Sequence, residues 1–169
     1  MSEKARIPVS ELRFSAAARL ELKESEGLRL KAYPDPASGG APWTIGYGHT
    51  SGVTQGMTIT ADLAEDFLDA DIADAERIAR RAVKVPMTQG EYDAVVSFVF
   101  NVGPGRKGVK DGFVTLKNGQ PSTMLRKINA GDYAGAALEF SKWVFGSGKI
   151  MGGLLVRRKA ERARFEAKV

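Results

Sequence analysis

The sequence predicts an α+β fold whose strands are gathered at one end. Three observations carry that expectation. From Leu28 to Gly56 the chain breaks into short β-like pieces punctuated by Gly and Pro. On either side of that stretch, apolar residues recur at helical spacing. A chain of 169 residues with 43% hydrophobic and 27% charged side chains can bury one domain's core, which argues against disorder. The expected arrangement is a single domain over residues 1–169. Within it, a lobe over residues 13–58 holds a helix and a small hairpin sheet, and a helical lobe covers residues 59–169, with a cleft between them.

Each element has a local reason. Ser15 to Glu26 reads as a helix with Ser15 as N-cap and Gly27 as its stop. LRLKAY (Leu28 to Tyr33) alternates apolar and polar residues, the pattern of a half-buried strand. PDPASGGAP is turn chemistry, and WTIGYG forms the returning strand. Thr60 caps a long helix to Val83, with Ala64, Leu68, Ala75, Ile78 and Ala82 on one apolar stripe. Asp71 falls on the same stripe, where a carboxylate needs a partner.

Thr88-Gln-Gly-Glu91 is a capping box opening an apolar helix that runs through Val102. Asn101 to Gly112 follows as a loop, and Ser122 to Gly131 reads as a short capped helix. Asp132 caps a further helix through Trp143, a residue expected in the core. FGSGKIMGG reads as a flexible connector before a last helix from Leu154 to about Lys168.

Composition excludes several functions. The absence of cysteine removes disulfide scaffolds and thiolate metal sites, and a single histidine removes a His-rich metal site. Neither metal nor cofactor is expected, so hydrolytic chemistry would rest on carboxylates, hydroxyls, Lys or Tyr. The charged start MSEKARIPVSELRF is unlike a secretory signal, and AVVSFVFNV (Ala94 to Val102) is too short to span a bilayer. A soluble chain made in the cytoplasm, without stable membrane insertion, is the expectation. Residues 149–169 hold seven Lys/Arg against two Glu, which accounts for the whole net charge of +5. A basic end of this kind suits an anionic polymer, or serves only as a solvated helix face. No aromatic-basic interleaving supports nucleic acid.

Candidate chemistry lies in EGLRLKAYPDPASGGAPWTIGYGHT (Glu26 to Thr50). Glu26 closes the first helix, where the negative dipole end favours a protonated carboxyl, as a general acid needs. Asp35 lies in a wet turn stiffened by Pro34 and Pro36, where a carboxylate stays ionised. Two carboxylates in unlike surroundings form an acid/base pair for cleaving a glycosidic bond. Thr44, on the returning strand, could hold a water against Asp35. His49 reads as structural, with Asp71 as its partner in an ion pair joining the sheet to the long helix.

Glu26, then eight residues, then Asp35, then PWTIGYGHT strongly resembles the phage lysozymes, the endolysins of glycoside hydrolase family 24. QGEYDAVVSFVFNVG (Gln89 to Gly103), Phe140, Trp143 and GLLVRRKAE (Gly153 to Glu161) resemble later motifs of that family, so the likeness covers about residues 15–166. The resemblance implies a lysozyme-like fold and hydrolysis of the β-1,4 bond between N-acetylmuramic acid and N-acetylglucosamine in peptidoglycan. Glu26 would protonate the leaving oxygen, and Asp35 with Thr44 would position the water. An inverting outcome follows if the carboxyls stand about 6.5–9.5 Å apart, whereas about 5 Å would favour a covalent intermediate.

The resemblance also suggests that Arg157 or Arg158 supports Glu26 from behind, and Asn101 and Lys142 could line the sugar-binding cleft. Eight residues separate Asp35 from Thr44, where the family usually has five, so the hairpin tip PASGGAPW is lengthened. The chain would act as a monomer and reach the wall through a holin-type membrane pore. Its rivals are a lytic transglycosylase, which uses one Glu and no water, a virion-associated lysozyme, and a non-catalytic cell-wall-binding module.

Overall fold

The computed structural model describes residues 5–36, 38–146 and 148–168. Ala37 of the hairpin tip and Ser147 of the connector, both within segments read above, lie outside the described residues. The fold is α+β, as the sequence predicts. In chain order it runs α1 (Ala16–Glu26), β1 (Arg29–Tyr33), β2 (Thr44–Gly46), α2 (Ala61–Ala82), α3 (Gln89–Val102), α4 (Thr123–Asn129), α5 (Tyr133–Glu139), β3 (Phe145–Gly146), β4 (Lys149–Ile150) and α6 (Gly152–Glu166). Packing divides the chain into two compact units, Ala16–Ala73 and Met1–Ser15 with Asp74–Val169. Helix α2 contributes its earlier turns to the first and its later turns to the second.

In the unit Ala16–Ala73, α1 stops where the Gly27 N–H bonds back to the Lys23 carbonyl at 2.9 Å. Strands β1 and β2 pair antiparallel, with Arg29 opposite Gly46 and Tyr33 opposite Thr44. The other edge of β1 is not left open. Ala32 N–H donates to Met57 O and Ile59 N–H donates to Leu30 O, each at 2.9 Å.

The alternation in LRLKAY predicts a buried row of Leu28, Leu30 and Ala32. Only Ala32 is buried, while Leu28 and Leu30 are 41% and 43% exposed. The ladder shifts register between Arg29 and Tyr33, and such a bulge re-aims side chains that strict alternation would align. A two-stranded ribbon also offers too little surface to cover both leucines. The start of α2 behaves as its sequence reads. Thr60 Oγ1 accepts the Leu63 N–H at 3.2 Å, and Ala64 and Leu68 are buried. Arg19 reaches from α1 to Glu65 at 2.8 Å and Asp69 at 2.7 Å on α2.

In the other unit, α3 is the core helix. Tyr92, Ala94, Val95, Val96, Phe98 and Val99 are all buried. The Phe98 ring meets Phe113, Phe140 and Trp143 edge-to-face, with centroids 6.1, 5.6 and 5.2 Å away. The capping box is complete, with Glu91 N–H donating to Thr88 Oγ1 and Thr88 N–H donating to Glu91 Oε2. Arg6 clamps the same Glu91 carboxylate at 2.7 and 3.0 Å.

Two expectations fail here. The helix opened by Asp132 ends at Glu139 and tightens into a 3-10 turn over Phe140–Lys142, a common finish for a short helix. The predicted connector is a hairpin, with Phe145 opposite Ile150 and Gly146 opposite Lys149. Phe145 and Ile150 face each other across the ladder, and Gly148, at φ +77°, takes the left-handed conformation that glycine allows before β4. Strands are therefore not confined to one end, and α6 begins at Gly152 rather than Leu154.

Helix α6 lies against α3 and carries buried charges inward. Arg158 is 1% exposed, stacks over the Phe98 ring at 4.8 Å, and donates to Asn101 Oδ1. Its Nε stands 3.1 Å from Glu161, which also accepts a hydrogen bond from Ser97 Oγ at 3.0 Å. Burial pushes the Glu161 carboxyl up to about 7 from an ordinary 4.5, although Arg158 and Ser97 pull the other way.

The folded protein thus keeps this proton to higher pH than the unfolded chain does. Stability from this group is full below the unfolded value of 4.5 and is lost as pH rises towards about 7. Urea melts of the wild type and Glu161→Gln across that window should show their difference in unfolding free energy moving against the wild type by on the order of 3 kcal/mol. A difference that stays flat with pH contradicts the assignment.

Candidate active site

Glu26 is the last residue of α1, so its backbone is fixed by a helix and its side chain projects beyond the helix end. Its carboxyl lies against Gly48, because a Cβ built on Gly48 would stand 2.7 Å from Glu26 Oε2. Gly48 has φ +78° and sits in the tight turn after β2, where Ile45 and His49 exchange two backbone hydrogen bonds of 2.9 Å. Only glycine combines that backbone conformation with such an approach.

Both neighbours of Gly48 are tied to α2. The Tyr47 hydroxyl donates to Glu65 Oε1 at 3.2 Å, and His49 Nδ1 donates to Asp71 Oδ2 at 2.8 Å. The His49 ring also stacks on Phe67, with centroids 4.3 Å apart. Hydrogen bonds from Lys23 and Arg19 hold the Glu65 carboxyl down at about 2, so it remains an ionised acceptor. His49 and Asp71, named as partners from the sequence, are therefore brought together, and the turn carrying Gly48 is tethered on either side.

Thr44 opens β2 directly opposite Tyr33. Asp35 follows two residues after Tyr33, and its main chain closes the hairpin tip. Asp35 N–H donates to Gly40 O at 2.9 Å and Gly39 N–H donates to Asp35 O at 2.8 Å, while Ser38 Oγ donates to Ala41 O at 3.0 Å. The added residues of the tip are thus folded upon themselves. Tyr33 was not singled out from the sequence. Its signal was its place at the end of a strand that precedes one candidate carboxylate and returns through Thr44.

Glu26, Asp35, Thr44, His49 and Asp71 belong to the unit Ala16–Ala73, and Asn101, Lys142, Arg157 and Arg158 to the other. Asn101 and Lys142 line one groove of about 660 Å³, together with Lys110, Lys117, Trp143 and Phe145. Trp143 is partly buried, with one edge in the Phe98 cluster. Arg158 is taken up by Asn101 and Glu161, so it orients a groove residue from inside its own unit. Lys142 is shared with the buried carboxylate of Glu139, 2.9 Å away, which Lys127 also meets at 2.7 Å. Burial pushes that carboxyl up, but the two lysines outweigh it and hold it below the ordinary range.

Lys110 and Lys117 escaped sequence reading because a loop crossing places them. A Cβ on Gly105 would stand 1.9 Å from Thr115 O, and one on Gly112 would stand 2.0 Å from Gly105 N, so the loop closes only with glycine at both positions.

The arrangement is that of the lysozyme-like α+β fold, and known proteins agree. The phage lysozyme family model matches residues 23–161. An endolysin of Acyrthosiphon pisum secondary endosymbiont phage 1 is 45% identical over 150 residues, covering 86% of this chain and 92% of that relative. The endolysin of Salmonella phage P22 is 40% identical over 159 residues, covering 91% and 98%. The solved endolysin from Escherichia coli O157:H7 phage FAHEc1 superposes with a TM-score of 0.74 at 34% identity, covering 94% of this chain and 96% of that one. The chain belongs to the phage lysozyme family, glycoside hydrolase family 24. It is accordingly a glycoside hydrolase of the lysozyme class.

The His49–Asp71 tie can be measured by a double-mutant cycle with His49→Ala and Asp71→Ala. A coupling energy of about 1–2 kcal/mol in unfolding free energy is expected for a mostly buried hydrogen bond to a carboxylate. Additive losses would mean the pair does not hold the turn to α2.

Proposed function

We propose that the chain is an endolysin-type muramidase. It hydrolyses the β-1,4 bond between N-acetylmuramic acid and N-acetylglucosamine in peptidoglycan. The strongest support is the Glu26 carboxyl at a helix end, packed on the backbone of a tethered glycine turn, in a unit that also presents Thr44 and Asp35 on one hairpin. Glu26 protonates the glycosidic oxygen as that bond breaks. A water attacks the anomeric carbon from the opposite face and passes its proton to Asp35, while Thr44 holds the water's oxygen. The water bonds the carbon directly, so the configuration inverts.

The basic segment 149–169 complements an anionic wall polymer. In this reading the groove of Asn101 and Lys142 contacts the polysaccharide, and the protein reaches the wall through a holin-type pore. Among the described residues no helix is long and apolar enough to cross a membrane.

Clearing of permeabilised bacterial cells tests the acid. Glu26→Gln should lower the rate by about 10²–10⁴-fold while leaving binding to purified wall intact. Clearing at the wild-type rate would remove Glu26 from the mechanism, and loss of wall binding together with activity would favour a binding module. Product analysis tests the water. A plain reducing muramic end that first forms as the α anomer fits inversion by hydrolysis, whereas 1,6-anhydromuramic ends identify a lytic transglycosylase.

A further inference from the structure

The groove lined by Asn101 and Lys142 has a polar surface made almost wholly of donors. Arg158 donates to Asn101 Oδ1, so what this amide has left to offer is its N–H2 group. Lys110, Lys117 and Lys142 add three ammonium groups, which can only donate. Asp111 is the one carboxylate of the lining, and its Oδ1 is engaged by the Lys117 N–H at 2.6 Å.

Lys142 is shared with Glu139. Lys110 and Lys117 are exposed, and among the described residues their side chains have no ion-pair or hydrogen-bond partner. The backbone beneath them is nonetheless fixed. Gly108 N–H donates to Lys117 O at 2.8 Å, and Arg106 and Lys110 exchange backbone hydrogen bonds of 2.7 and 3.0 Å. Val109 and Phe145 line the same groove while 59% and 60% exposed. Two free cations on a braced loop, with uncovered apolar surface beside them, suit a ligand that carries carboxylates on a partly apolar chain.

We propose that Lys110 and Lys117 bind the carboxylates of the peptide stem of peptidoglycan and so set a preference for stem-bearing glycan. The inference rests on the muramidase reading above and deepens it. The alternating sugars of that polymer are uncharged, and its ionised acids lie on the short peptides joined to N-acetylmuramic acid. Alanine methyls of the same peptides supply the apolar surface that Val109 and Phe145 would cover. A phosphate polymer of the wall would match the lysines but leave the apolar side of the groove facing charge. The stem hangs from one of the two sugars flanking the bond that is cut, so it travels with the glycan that Asn101 meets. Neither lysine takes part in breaking that bond, so contact with the stem lowers KM and leaves kcat unchanged.

The test is steady-state kinetics on soluble glycan strands free of wall phosphate polymers, with native stems or with stem carboxylates converted to methylamides. Lys110→Gln with Lys117→Gln should raise KM on native strands about 10-fold, equivalent to about 1.4 kcal/mol. Its kcat should stay within about twofold and its melting temperature unchanged. Wild-type KM should rise by a similar factor on the methylamide strands, where the double variant should lose nothing further. Arg81→Gln with Lys84→Gln removes two exposed charges outside the groove and should leave KM as it is. A wild-type KM for the lysine variant on native strands overturns the proposal. So does an equal rise in the Arg81 and Lys84 variant, or a further loss of about that size on methylamide strands. Slower clearing confined to walls that carry phosphate polymers would assign the lysines to phosphate and overturn it too. The two readings fail differently. Wild-type enzyme that releases no reducing muramic ends defeats the muramidase reading, whereas normal release with a KM indifferent to both lysines defeats only the role of the stem.

Discussion

Everything at the candidate site depends on one contact, the Glu26 carboxyl resting on the backbone of Gly48. A carboxyl at a helix end would otherwise swing through several rotamers, and a general acid that wanders loses the alignment its chemistry needs. The backbone of the turn bounds it on one side. That restraint is only as firm as the turn, and Tyr47–Glu65 and His49–Asp71 make it firm by tying the residues on either side to α2. The salt bridges from Arg19 and Lys23 to Glu65 then join α1, which ends in Glu26, to the same helix. Glu26, the Gly48 turn and α2 form a closed loop of contacts within Ala16–Ala73.

The second unit uses a different principle. Its α3 is buried along most of its length by aromatic and aliphatic packing, and the polar groups of its later turns, Ser97 and Asn101, are answered by α6. Ser97 meets Glu161 and Asn101 meets Arg158, so two buried polar groups of α6 that would be costly alone are answered by α3. The hydrogen bond from Arg158 thereby fixes the side chain of Asn101, which lines the lysine-rich groove.

Much of this was legible in the sequence, for reasons that can be named. Thr88 and Glu91 satisfy each other across three residues, and Asp71 on an apolar stripe asks for a partner that the lone His49 supplies. Such features are local, or are paired by scarcity. The failures share a different cause. Leu28 and Leu30 alternate correctly, yet a register shift two strands wide decides their exposure. The Phe145–Ile150 hairpin hides in a Gly-rich string because each strand is two residues long. Tyr33, Lys110 and Lys117 acquire meaning only from what lies across a ladder or a loop crossing, which no window along the chain contains.

The tip after Asp35 folds upon itself, with Asp35 N–H donating to Gly40 O and Gly39 N–H donating to Asp35 O. Chain length beyond that closure is therefore decoupled from the register of Tyr33 with Thr44, and separation along the polymer is a poor proxy for separation in space. The family model spans the whole interval, residues 23–161, because the ladder at its two ends is what has to be kept.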